Sequence, residues 1–267
     1  MNIYHLWDSV PGRCVEEPVL TRFSPTVKKT RAAVIVFPGG GYTHRAKHEG
    51  EGYAEMFNEW GMEAFVLSYR VAENPDDPPL FPAPLLEARR AVRYLRANAE
   101  EFGIDADKIA VIGSSAGGHL AAFVSTYRPA VEGEGVDALD AIDPTPNLQI
   151  LCYPVISSDE RYSHGGSYRK LLGADFPDKA AYSPEAIADE KTPPAFIWHT
   201  STDTSVNVTN SYLYAARLRE LGVPCEMHVF PVGGHGLGRA PQQPHVAQWT
   251  GLLKNHLVWR GYLPAEE

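Results

Sequence analysis

The stretch Lys108–Phe123, KIAVIGSSAGGHLAAF, decides how this chain is read. IAVIG is a mostly β-branched run of strand length, HLAAFVS continues with apolar residues at helical spacing, and Gly113-Ser114-Ser115-Ala116-Gly117 lies between them. A G-x-S-x-G pattern between strand and helix is a nucleophile elbow: Ser115 sits on a strained turn, and the flanking glycines let neighbouring backbone pass close by. A glycine-rich turn without chemistry would carry the same five residues. The elbow reading therefore requires an acid and then a histidine further along the chain.

Both follow in that order. Ala195 to His199 reads as a buried strand, and Thr200-Ser201-Thr202-Asp203 leaves it as a polar loop, so Asp203 falls just past a strand end. Asn210 to Leu221 has the apolar spacing of a helix, stopped by Gly222 with Pro224 beyond. Glu226 to Phe230 is another strand, and the Gly233-Gly234-His235-Gly236 loop comes after it. Of ten histidines, only His235 combines a glycine-flanked loop with the required position. His228 sits within a strand pattern, and His119 and His256 on helices. Asp159, after the preceding strand, is the competing acid, and the order rule favours Asp203.

The third part is electrophilic. Arg31 to Phe37 ends in AAVIVF, suited to a central strand, and breaks at Pro38-Gly39-Gly40-Gly41-Tyr42. Consecutive glycines there can turn the N–H groups of Gly40 and Gly41 toward one point, where with the N–H of Ala116 they form an oxyanion hole. A plain turn needs one or two glycines, not three.

PGGGY, HEGEGYAEMFNEWG, SYRV, GSSAGGHLAA and the Asp203 and GGHGLG loops together resemble the acetylesterase branch of the α/β-hydrolases, which includes acetyl-xylan-esterase-like enzymes near the hormone-sensitive-lipase family. The resemblance runs from about Ile35 to the C-terminus. It implies Ser115 as nucleophile, Asp203 and His235 as its partners, and cleavage of short acyl esters. One departure is Pro38, where lipases and esterases open this loop with a histidine; the backbone mechanism does not need that side chain.

Composition agrees. A chain of 267 residues is ample for one α/β domain over residues 1–267 with a large core. A net charge of −9 argues against nucleic acid or an anionic membrane surface as partner. The expected partner is a small-molecule or oligosaccharide ester, with a homodimer left open. Cys14, Cys152 and Cys225 are far apart and odd in number, without C-x-x-C or metal spacing, and read as thiols in a reducing compartment. The start, MNIYHLWDSVPG, has no signal-peptide pattern and no run is long enough to span a bilayer, which gives a cytoplasmic expectation. No cofactor and no metal are expected.

Strands and helices alternate: Gly50 to Trp60 reads as a helix, Glu63 to Tyr69 as a strand, and Pro84 to Phe102 as one long helix. Such alternation gives the α/β-hydrolase class, a mostly parallel sheet covered on both faces with ligands at the strand C-terminal ends. Val131 to Pro146 is acidic and reads as a surface loop. Ser157 to Pro193 interrupts the alternation with little apolar period, and is expected to form a small cap over the site. Its Tyr162, His164, Tyr168, Phe176 and Tyr182 suit stacking on a sugar face, although each could instead pack the cap onto the body. Tyr42, His44, Tyr162 and Tyr168 are the candidate substrate contacts; His48 and Glu49 are also placed by the pocket, as wall rather than metal ligands. Tyr69-Arg70 is expected to support the elbow. A serine peptidase on the same fold is the alternative activity, and a non-catalytic binding module the alternative class; the full triad speaks against the second.

Overall fold

A computed structural model describes residues 2–7 and 18–265. Cys14 lies outside the described residues. The sheet is built on β3 (Ala33–Phe37) and β5 (Ile109–Ser114), the two apolar runs singled out above. Together with β1 (Asn2–His5), β2 (Val19–Phe23), β4 (Glu63–Leu67), β6 (Leu148–Cys152), β7 (Ala195–Thr200) and β8 (Cys225–Phe230) they form one sheet of order β1-β2-β4-β3-β5-β6-β7-β8. From β4 to β8 every pairing is parallel, whereas β1 and β2 join antiparallel at the edge.

Period-two alternation splits the strands between two cores. Ile35, Phe37, Val111 and Ile197 face α2 (Ala83–Ala97), α4 (Ser115–Thr126) and α7 (Thr209–Glu220). Val34, Val36, Ile112 and Trp198 face α1 (Lys47–Glu59) and α8 (Trp249–Trp259). Helices therefore cover both faces, which is why the central strands can be continuously apolar. No described helix is long and apolar enough to cross a membrane.

The single helix expected from Pro84 to Phe102 is two. The Asn98 side chain donates to the Tyr94 carbonyl at 2.8 Å, and Asn98 leaves helical geometry (φ −108°, ψ 22°) before α3 (Ala99–Phe102) begins. The acidic 131–146 loop is held down rather than free. Arg89 and Arg93 of α2 each reach Glu134 at 2.8 Å, and Arg90 forks onto Asp137 at 2.6 Å. Burial would raise the Glu134 carboxyl, but the Val131 N–H and these guanidiniums outweigh it and hold it below its usual range.

Between β6 and β7 lie α5 (Gly165–Leu172), a 3₁₀ turn at Lys179–Tyr182, and α6 (Pro184–Ile187). His119 of α4 ties this insertion down. Its Nε2–H donates to the Tyr182 carbonyl at 3.0 Å, which leaves Nδ1 to accept from the Tyr42 hydroxyl at 2.8 Å. Both contacts suit the neutral ring, and burial at 1 % exposure pushes its pKa down to about 4.

This burial predicts a pH dependence of folding. An unfolded histidine binds a proton below about pH 6.5, so between there and about 4 the unfolded state holds one more proton than the folded state. Stability should therefore rise with pH across that window, with a His119 contribution of up to about 1.4 kcal/mol per pH unit, and lose this dependence above about pH 7. Urea unfolding at pH 5, 6 and 7.5 tests it: His119→Asn should lack this component, and equal slopes in wild type and variant would count against it.

Candidate active site

Parallel register brings three loops together. Ser114 pairs with Cys152, Cys152 with Trp198, and Thr200 with Phe230, so β5, β7 and β8 end on one edge and release Ser115, Asp203 and His235 there. Ser115 has φ +54°, a conformation disfavoured for an L-residue, so the elbow strain expected from the sequence is present. The flanking glycines are a steric requirement. A Cβ on Gly113 would run into the Gly117 backbone, and one on Gly117 into the carbonyls of Phe37 and Pro38.

The Ser115 hydroxyl and His235 Nε2 are 2.8 Å apart, and His235 Nδ1 lies 2.6 Å from Asp203 Oδ2. Since the carboxylate can only accept, Nδ1 carries the proton and Nε2 accepts from Ser115. Asp203 is 8 % exposed and has no lysine or arginine partner among the described residues. Its Oδ1 accepts from the Ser205 and Val206 N–H groups at 2.9 and 3.0 Å; its Oδ2 accepts from His199 at 3.2 Å as well as from His235. Burial would raise its pKa, but the His199 and His235 hydrogen bonds and the Val206 N–H outweigh that and hold it well below the carboxylate range.

His199 is a site residue the sequence reading passed over. Its Nδ1 accepts from Ser211 at 2.8 Å, which fixes Nε2–H toward Asp203 and the Val206 carbonyl. The signal available was its spacing: it stands four residues before the acid, at the end of the same strand.

Asp159 is elsewhere, in a fork with Arg161. The Arg161 side chain and N–H hold the Asp159 pKa down to about 2.

The glycine loop packs against the elbow. A Cβ built on Gly39 would lie 3.2 Å from the Ser115 Cβ, and Gly40 has φ +131°, open only to glycine. Gly40 uses its carbonyl to accept from the Thr43 and His44 N–H groups, while the Gly40 and Gly41 N–H groups have no acceptor among the described residues. Ala116 stands in the first turn of α4, where an N–H lacks an intrahelical partner. Tyr69 supports this loop rather than the elbow, its hydroxyl donating to the Pro38 carbonyl.

The expected substrate contacts divide. Tyr42 and Tyr168 are buried, with hydroxyls committed to His119 and to the Ile156 carbonyl, so both pack the interior and offer no face for stacking. Phe176 and Tyr182 likewise pack on the core. His44 is exposed on the rim of the glycine loop, and Tyr162 is half-buried with its carbonyl held by Asn210. His164 caps α5, with Nδ1 accepting from Ser167. Burial pushes its pKa down, as does the nearby His235, while Asp203 opposes the shift. Glu49 faces the glycine loop from below and forms no part of a pocket wall.

A sequence profile of the BD-FAE family matches residues 22–218. The chain is 41 % identical over 223 residues to the endo-1,4-β-xylanase B of Butyrivibrio fibrisolvens, covering 83 % of this chain and 34 % of that protein. It is 33 % identical over 213 residues to the acetylxylan esterase of Xylanibacter ruminicola, covering 77 % and 41 %. It thus spans between a third and a half of the length of these curated relatives. A solved acetyl ester-xyloside bifunctional hydrolase from Caldicellulosiruptor lactoaceticus superposes with a TM-score of 0.88 at 40 % identity, covering 98 % of this chain and 97 % of that one. The chain belongs to the BD-FAE family and has the α/β-hydrolase fold.

Proposed function

We propose that this chain is a serine carboxylesterase that removes short acyl groups, acetyl foremost, from acetylated sugars or xylo-oligosaccharides. The observation that carries the reading is the unbroken chain from the Ser115 hydroxyl through His235 to the buried Asp203 carboxylate. The names of the xylan-directed relatives support the choice of ester.

In this reading His235 takes the Ser115 proton as Oγ attacks the ester carbonyl. The N–H groups of Gly40, Gly41 and Ala116 stabilise the oxyanion, and His235 then protonates the departing alcohol. Water repeats the cycle on the acyl-enzyme and releases the acid. Asp203 keeps the Nδ1–H tautomer and stabilises the imidazolium that forms. The Ser115–His235 and His235–Asp203 contacts are already made in the free chain, so little reorganisation of these groups accompanies proton transfer. The 157–193 segment acts as the cap. Tyr168, Phe176 and Tyr182 of this segment pack on the core, and in this reading so small and polar an insertion offers little apolar wall to a long acyl tail.

Two outcomes test this. Ser115→Ala and Asp203→Asn should each fold and lose on the order of 10⁴-fold in kcat toward nitrophenyl acetate, the second through the wrong His235 tautomer, while Asp159→Asn stays close to wild type. More than a tenth of wild-type turnover in Ser115→Ala would remove the nucleophile assignment.

A panel of nitrophenyl acetate, butyrate and octanoate beside acetylated xylo-oligosaccharides should give the highest kcat/KM for acetyl esters and a steep fall by octanoyl. Fast octanoyl hydrolysis with activation at a lipid interface would mark a lipase instead.

A further inference from the structure

Glu49 takes no part in the chemistry above, yet it is an acidic side chain at 2 % exposure on α1. Burying a carboxylate is expensive unless donors replace its water. Its one ion-pair contact among the described residues is His48, at 3.9 Å on the exposed side. What satisfies it instead are two donors from two different loops. Oε2 accepts from the Gly39 N–H at 2.7 Å, and Oε1 accepts from the Tyr153 hydroxyl at 2.7 Å.

Each donor leads to a catalytic loop. Gly39 immediately precedes the Gly40 and Gly41 amides and is wedged so closely between Glu49 and the elbow that a Cβ there would strike the Glu49 carboxylate and crowd Ser115. The Tyr153 oxygen also accepts from the Gly238 N–H at 2.9 Å, three residues past His235, and its ring meets the His235 ring edge-on at 5.1 Å. Tyr153 itself has φ +37°, an unfavourable geometry held in place by these contacts. A branch through Tyr53, 3.3 Å from the Tyr153 oxygen and 2.7 Å from Ser114 Oγ, reaches the residue before the nucleophile. Burial, with Glu49 adding to it, holds the Tyr153 phenol protonated far above its ordinary range, so it remains a donor at any working pH.

We propose that Glu49, acting through Gly39 and Tyr153, is a positioning residue that sets the oxyanion-hole amides against Ser115 and registers the His235 loop to the same point. The inference rests on the reading of Gly40 and Gly41 as oxyanion donors. The carboxylate suits the task because both of its oxygens accept. Glu49→Gln keeps the shape and leaves one oxygen for the Gly39 N–H, but its NH₂ then meets the Tyr153 oxygen, which already accepts from Gly238, so the phenol loses its acceptor and the Tyr153 link weakens. Tyr153→Phe keeps the Gly39 link and removes the hydroxyl that joins Glu49 to Gly238.

Displacing a catalytic group by about 1 Å costs on the order of 10²-fold, and losing an oxyanion donor about 10² to 10³. With nitrophenyl acetate, kcat in each variant should fall about 10- to 100-fold, with KM moving by less than about threefold. Affinity for a trifluoromethyl ketone, whose adduct oxygen occupies the oxyanion position, should weaken in parallel with kcat/KM. Because both substitutions cut one path, the double variant should fall little further than the worse single one. Should Glu49→Gln fail to fold, Tyr153→Phe carries the same test. Turnover within about twofold of wild type in Tyr153→Phe, unchanged ketone affinity despite a lower kcat, or losses that multiply in the double variant would each overturn the assignment. Ser115→Ala assayed alongside separates the two readings. If it is inactive while Glu49→Gln and Tyr153→Phe turn over normally, the positioning role fails and the esterase stands.

Discussion

Everything at this site depends on the absence of side-chain volume between β3 and β5. Phe37 pairs with Gly113 across the parallel ladder, and Gly117, one turn into α4, lies directly against the carbonyls of Phe37 and Pro38. That contact lets the glycine loop leaving one strand and the elbow leaving its neighbour occupy the same few ångströms. A methyl group at Gly113 or Gly117 would meet that backbone and push the two loops apart. The positive φ of Ser115 is sustained by the same packing, since a strained turn persists only where its surroundings leave it no alternative.

The second theme is how buried negative charge is managed. Asp203 and Glu49 are both nearly inaccessible, and neither has a lysine or arginine beside it among the described residues. Each is satisfied by neutral donors drawn from several loops: backbone amides and two imidazoles around Asp203, a backbone amide and a phenol around Glu49. A lysine ammonium, a compact point charge, would neutralise the charge without constraining much geometry. Directional donors constrain it closely, and they make each carboxylate a junction between elements far apart in sequence. Arginine forks are used elsewhere, on α2, where they hold the acidic 131–146 loop against the body.

The insertion between β6 and β7 follows the same economy. His119 reaches from the elbow helix to the Tyr182 carbonyl, Tyr168 reaches back to the Ile156 carbonyl, and Asn210 holds both Ile156 and Tyr162 beside the acid loop. Tyr168, Phe176 and Tyr182 are consumed in attaching it, while Tyr162 and His164 are half-buried, His164 close to His235 and Asp203.

From the sequence alone came the elements with strong local signatures. The central strands are read from apolar runs that can only be buried on both faces, and the elbow and glycine loop from glycines that no other residue replaces. Asp203 and His235 are found by their order along the chain. Less was legible where the signal is weak or non-local. β1 and β2 are antiparallel edge strands with mixed exposure, and the break at Asn98 hangs on one side-chain hydrogen bond. Whether Tyr42 and Tyr168 face substrate or interior, and why Glu49 and His199 are acceptable inside, was decided by the tertiary structure. The same tyrosine suits a sugar face or a core, and the same carboxylate suits solvent or burial. The choice is made by which donors and acceptors the folded chain brings within 3 Å, and no local pattern encodes that.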